Sequence, residues 1–106
     1  MSVMVTLRLK ADASKLEEWA AAHPDAMTAI MEKAKQQGVI AHRFYGDGAG
    51  GVMVLDEWPD ADSFQTFFHG SMDEIGPMMA AVDAQGEPEV SIWHELETHD
   101  QYGWGA

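Results

Sequence analysis

The stretch Val54-Leu55-Asp56-Glu57-Trp58-Pro59-Asp60-Ala61-Asp62-Ser63-Phe64-Gln65-Thr66-Phe67-Phe68 decides the fold. Its first residues continue a strand that begins at Val52, with the branched and aromatic side chains that suit a sheet. Pro59 stops that strand, because proline offers no amide to a ladder. Asp60 is placed to cap a helix, and Phe64, Phe67 and Phe68 then recur at helical spacing as its apolar face.

Working upstream, Gly46-Asp47-Gly48-Ala49-Gly50-Gly51 reads as a flexible hairpin loop, preceded by a second strand over Val39 to Tyr45. Val3 to Leu9 is the first strand, with Val3, Val5, Leu7 and Leu9 on one side and Met4, Thr6 and Arg8 on the other. Ser14 and Glu17 form a capping box that opens the first helical region. Leu16, Trp19, Ala20, His23, Met27, Ile30, Met31 and Ala34 fall on one stripe of it. Pro24 predicts a break near His23, and Gly38 a C-terminal cap. Downstream, Gly70-Ser71 interrupts the second helical region, and Ser71 with Glu74 offers another capping box. Ile75, Met78, Met79 and Val82 are the apolar positions of the segment that follows. Val90 to Leu96 reads as the last strand.

The result is an α+β, ferredoxin-like β-α-β-β-α-β domain over residues 1–97, with a four-stranded antiparallel sheet and both helical regions on one face. Residues 98–106 are a polar tail in which Tyr102 and Trp104 are candidate anchors. The opposite face carries Met4, Thr6, Val39, Ala41 and Trp93. A face so mixed wants cover, and a second copy of the sheet supplies it, giving a homodimeric α/β barrel.

Eighteen acidic residues against six basic ones give a formal charge of -12, a field that repels phosphates. Nucleic acid and anionic membrane are therefore not expected partners. The absence of cysteine excludes disulfides, cysteine-ligated zinc and a thiol nucleophile. Arg8, Lys10, Asp12, Lys15, Glu17 and Glu18 interrupt the N-terminal region, so no apolar leader or span is read there and a cytoplasmic location is the expectation.

Five histidines supply the most plausible chemistry, since imidazole exchanges protons near neutral pH. His42 lies between Ile40 and Phe44 on one strand parity, where partial desolvation favours a neutral base. His23 sits on the helical stripe, within reach of a helix–sheet gap. His69 ends the aromatic helix, and His99 is in the tail. His94 and His42 belong to strands at opposite edges, about 14 Å apart at the usual strand spacing, too far to share an ion. No metal site is expected. Arg8 and Arg43 read as cross-strand partners of Asp56, Glu57 or Glu95. Trp19, Phe44, Trp58, Phe64, Phe67 and His69, with Met27, Met31, Met78 and Met79, are candidates to line an adaptable apolar cavity. There is no phosphate loop, dinucleotide fingerprint or Ser-His-Asp pattern.

The order of elements and the run from Val54 to Phe68 resemble the antibiotic biosynthesis monooxygenase-like superfamily of dimeric α/β barrels. Ala41-His42-Arg43-Phe44-Tyr45 also resembles the second strand of its small actinobacterial members. The resemblance implies a ligand pocket between sheet and helices. It implies a cofactor-independent monooxygenase-like reaction on a small apolar or aromatic molecule, with no cofactor. The alternatives it leaves open are a cyclase or isomerase with a histidine base and a non-catalytic small-ligand-binding dimer. The haem-degrading branch carries an iron-ligating histidine near the position of Pro77 and an asparagine in the first strand. Here Pro77 and Thr6-Leu7-Arg8 stand instead, against haem degradation.

Overall fold

Two aspartates start the two helical layers. The Asp12 carboxylate accepts the Lys15 amide at 3.1 Å, and that of Asp60 accepts the Ser63 amide at 2.7 Å. Each satisfies one of the amide donors that the first turn of a helix leaves open. Residues 1–103 are described by the structure, a computed structural model. In chain order the elements are β1 (Val3–Lys10), α1 (Ala13–Ala22), α2 (Pro24–Gln36), β2 (Ala41–Gly46), β3 (Gly51–Trp58), α3 (Ala61–Gly70), α4 (Met72–Ala81) and β4 (Gln85–His94). The sheet is antiparallel throughout, in the order β2-β3-β1-β4. This is the ferredoxin-like β-α-β-β-α-β arrangement, with each helical region divided in two.

The divisions fall where the chain chemistry puts them. Pro24 is the first residue of α2, where its missing amide costs nothing, and His23 is the hinge before it. Gly38 adopts φ 97° after α2, the left-handed conformation that closes a helix. Two expected capping boxes do not form. Asp12 rather than Ser14 caps α1, and the Ser71 side chain caps nothing although it is almost fully buried. Glu74 instead reaches across to Lys33 of α2 and joins the two helical layers.

Asp47 organises the hairpin loop. The Asp47 carboxylate accepts the amides of Ala49 at 2.7 Å and Gly51 at 2.9 Å. Those two bonds, the Ala49 bond first, hold the Asp47 carboxyl below its ordinary range. A side chain at Gly51 would meet the Asp47 carboxylate at 2.4 Å, so a larger residue there must displace the carboxylate from its loop bonds.

β4 begins at Gln85, earlier than Val90, and ends at His94. Gly86 and Pro88 disguise its first half as a loop. Proline is tolerated because β4 is an edge strand, and a register shift opposite Arg8 to Lys10 absorbs the irregularity. Val39 precedes β2 and packs against the core rather than on the open face.

One sheet face and the helices share a single core. Val3, Val5, Leu7, Val52 and Trp58 from the strands meet Leu16, Ala34, Phe64, Phe67, Ile75, Met78 and Val82 from the helical layer. The other face carries Met4, Leu55, Tyr45 and Trp93, with the Trp93 side chain 56% exposed and its indole donating to Thr6 Oγ1 at 2.8 Å. Arg8 on that face pairs with Glu89 at 3.3 Å, not with Asp56, Glu57 or Glu95. Tyr102 is exposed and anchors nothing, and Trp104 lies outside the described residues. Among the described residues no helix is long and apolar enough to cross a membrane.

Candidate functional site

A cavity of about 70 Å³ opens between the sheet and the helices. One water molecule needs roughly 10–15 Å³ on this measure, so the space suits a small organic ligand. Its floor is the inward face of the sheet: Val5, Leu7 and Leu9 from β1, Val52 and Val54 from β3, Phe44 from β2. The helices roof it with Phe64, Phe67 and Phe68 and with Met31, Met78 and Met79. Unbranched thioethers beside rigid rings make a wall that adapts to its occupant.

Two polar side chains enter this lining, His42 and Asp56. They are direct cross-strand neighbours of β2 and β3, so their side chains emerge side by side on the same face. The Nδ1 of His42 lies 2.7 Å from Asp56 Oδ1. A carboxylate can only accept, so Nδ1 carries the proton and donates. Trp58, two residues along β3 and wholly buried, donates its indole Nε1–H to the second oxygen, Asp56 Oδ2, at 3.1 Å. Asp56 is only 5% exposed, and both its oxygens are engaged.

Indole, carboxylate and imidazole thus form a chain of hydrogen bonds running from core to cavity. The chain selects one tautomer of the neutral ring, the one with its hydrogen on Nδ1 and its lone pair on Nε2. Nε2 has no hydrogen-bond partner among the described residues. Phe44 meets the imidazole edge to face at 5.1 Å and restrains its tilt. An oriented imidazole with a free basic nitrogen against an apolar space is an arrangement that takes up protons.

The structure gathers His42, Phe44, Phe64 and Phe67 around the cavity, with Trp58 directly behind it. It leaves His23, His69 and Trp19 outside the lining. His23 is exposed: its ring stacks on Trp19 at 4.5 Å and Nδ1 bonds to the Trp19 carbonyl at 2.9 Å, so it finishes α1. His69 is exposed at the end of α3, and the neighbouring Phe68 faces the cavity in its place. Met27 packs at the edge of the core. Asp56, the residue that orients His42, is the one sequence reasoning missed. The available signal was a carboxylate on the parity of Val52 and Trp58, both core positions, and of Val54, which packs against the core. Among the described residues no group of three or more His, Asp or Glu side chains could hold a metal ion.

No protein-family model matches the chain, and no curated protein matches it in sequence. Solved structures do match. The cofactor-independent oxygenase SnoaB from Streptomyces nogalater superposes with a TM-score of 0.63 at 14% identity, over 94% of this chain and 98% of that one. A Deinococcus radiodurans protein, provisionally described as an antibiotic biosynthesis monooxygenase, gives 0.61 at 15% identity, over 97% and 100%. A dimeric ferredoxin-like protein from an uncultured marine organism gives 0.60 at 14% identity, over 90% and 97%. At such identities the likeness carries the fold and not the activity. The chain has the ferredoxin-like fold of the antibiotic biosynthesis monooxygenase-like proteins among its structural neighbours.

Proposed function

We propose that the cavity is the active site of a cofactor-independent oxygenase that acts on a small, apolar, aromatic molecule, with His42 as general base. The observation that carries this reading is the tethered imidazole: Nδ1 held by a buried carboxylate, Nε2 free, in an otherwise apolar space. Dioxygen reacts slowly with closed-shell organic molecules and faster with electron-rich anions. The protein's task is then to remove a proton and keep water away from the anion. Nε2 takes a proton from an activated CH2 group of the substrate. Dioxygen adds to the carbanion at that carbon and is protonated to a hydroperoxide. Cleavage of the O–O bond, with loss of the second hydrogen from the same carbon, leaves a carbonyl and releases water. Asp56 stabilises the imidazolium while it holds the proton, and Trp58 keeps Asp56 in place.

The same reading includes a homodimer formed through the free sheet face. Met4, Leu55, Tyr45 and Trp93 form an apolar patch there, and neighbouring structures of this fold are described as dimeric. The test is a screen of the purified protein against aromatic ketones and hydroquinones, with oxygen uptake and product mass followed together. Products heavier by one oxygen and lighter by two hydrogens support the proposal. Proton exchange without oxygen uptake would replace it with isomerase chemistry at the same base.

A further inference from the structure

Both arginines of the chain, Arg8 and Arg43, stand on the free face of the sheet. Of the four lysines, Lys15, Lys33 and Lys35 lie on helices and Lys10 at the end of β1. Interfaces favour arginine over lysine, because guanidinium is weakly hydrated and forms planar paired bonds to carboxylates. In the rows of the free face that cross all four strands, the charged residues are Arg8, Glu89, Arg43 and Glu57. Their formal charges cancel, within a chain of net charge -12. Two copies therefore repel least when these rows face each other.

Arg8 and Glu89 answer one another at 3.3 Å. Arg43 and Glu57 are left over. Among the described residues Arg43 has no carboxylate partner and Glu57 no cationic one. They stand close in the ladder, since Arg43 is opposite Leu55, two residues along β3 from Glu57. Long side chains can bridge such a diagonal. The Glu57 carboxylate instead accepts from Ser2 Oγ at 2.6 Å. Ser2 precedes β1 at the end where Val3 meets Trp58, so Glu57 is turned away from the row of Arg43.

A second sheet laid on this face takes Arg43 out of water with no acid of its own chain to meet it. A buried charge left unpaired is strongly destabilising. Packed sheets lie about 10 Å apart, a gap that an arginine and a glutamate reaching from opposite sides can close. We propose that in the homodimer Arg43 of each copy pairs with Glu57 of the partner subunit. Two-fold symmetry makes the pair twice, and these two pairs give the face its specificity for a second copy of this chain. The inference rests on the reading of the free face as the dimer interface, and it adds the residues by which one copy recognises the other.

Charge reversal tests it, with the dimer dissociation constant read by sedimentation equilibrium and the fold checked by circular dichroism. Arg43→Glu and Glu57→Arg each place like charges together at two points of the dimer. Each should weaken dimerisation by about 100-fold or more. The double variant Arg43→Glu with Glu57→Arg restores opposite charges and should return to within about tenfold of wild type. Should a reversal fail to fold, Arg43→Gln and Glu57→Gln supply the same comparison. Their combined loss of affinity should then fall short of the product of the single losses by about fivefold or more. Single reversals that leave a dimer of wild-type affinity would overturn the pair and leave the homodimer standing. Single losses that the double variant does not recover, or glutamine losses that simply multiply, would overturn it equally. A wild-type protein that stays monomeric would remove the pair together with the dimer and leave the face to a different partner.

Discussion

Replacing Trp58 by Phe tests whether the indole–carboxylate bond is a structural necessity or a coincidence of packing. Two separable losses follow. The smaller ring removes about three buried heavy atoms, worth roughly 2 kcal/mol at about 0.8 kcal/mol for each methylene equivalent. It also strips Asp56 Oδ2 of its only donor among the described residues, in a residue 5% exposed. An unsatisfied buried acceptor costs about 1–3 kcal/mol. The total, about 3–5 kcal/mol, is a large share of the roughly 5–15 kcal/mol that holds a domain together. Urea unfolding followed by circular dichroism should show a lower midpoint with an unchanged slope. Repeating the substitution in an Asp56→Ala background isolates the bond. There Trp58→Phe should cost only the packing share, leaving a coupling of about 1–3 kcal/mol. A coupling below about 0.5 kcal/mol, within ordinary additivity, would refute the claim that Trp58 anchors the carboxylate.

Other expectations concern the faces and helices around the site. Trp93→Glu combined with Leu55→Asp should convert the protein from a dimer, at twice the chain mass of 11.7 kDa, to a monomer in sedimentation equilibrium. An unchanged mass would put the interface elsewhere. The bond from Lys33 holds the Glu74 carboxyl below its ordinary value of 4.5. A carboxyl depressed in the folded state stabilises it at neutral pH, and that contribution disappears as pH falls below 4.5 through the folded value. Lys33→Met should therefore lower the thermal midpoint at neutral pH and converge with wild type in strong acid; a constant gap at every pH would argue against the pair. Long-range nitrogen–proton correlation spectra should show His42 as the Nδ1–H tautomer, and an Nε2–H signal would mean that Asp56 does not orient it.

Much of the fold was legible because local chemistry and global order agree. Val3 to Leu9 alternates cleanly, Asp60 caps α3, and Pro24 divides the first helical region as proline should. The misreadings share a physical cause, since each turned on tertiary context. Ser14 has the right residue type for a cap, but Asp12 holds the position and wins. Gly86 and Pro88 look like breakers, yet an edge strand with a register shift accommodates both. The candidate site was half legible. His42 stood out by parity, but its partner depended on the hairpin register. Pairing the strand ends Tyr45 and Val52 directly would set His42 opposite Leu55; the actual ladder pairs Gly46 with Val52 and sets it opposite Asp56. That single-residue difference is fixed by Asp47 gathering the amides of its own loop. His23 and His69 carry the same intrinsic chemistry as His42, and only helix geometry turns them outward.

The central claim is that His42 is the base that starts an oxygen reaction in the apolar cavity. It is tested most directly by initial rates of oxygen consumption for wild type and His42→Ala on a substrate turned over by the wild-type protein. Both should first be shown to be folded and to bind that substrate. Loss of a general base should lower the rate by about two to four orders of magnitude, with little change in substrate affinity. An His42→Ala protein that consumes oxygen at the wild-type rate would contradict the account.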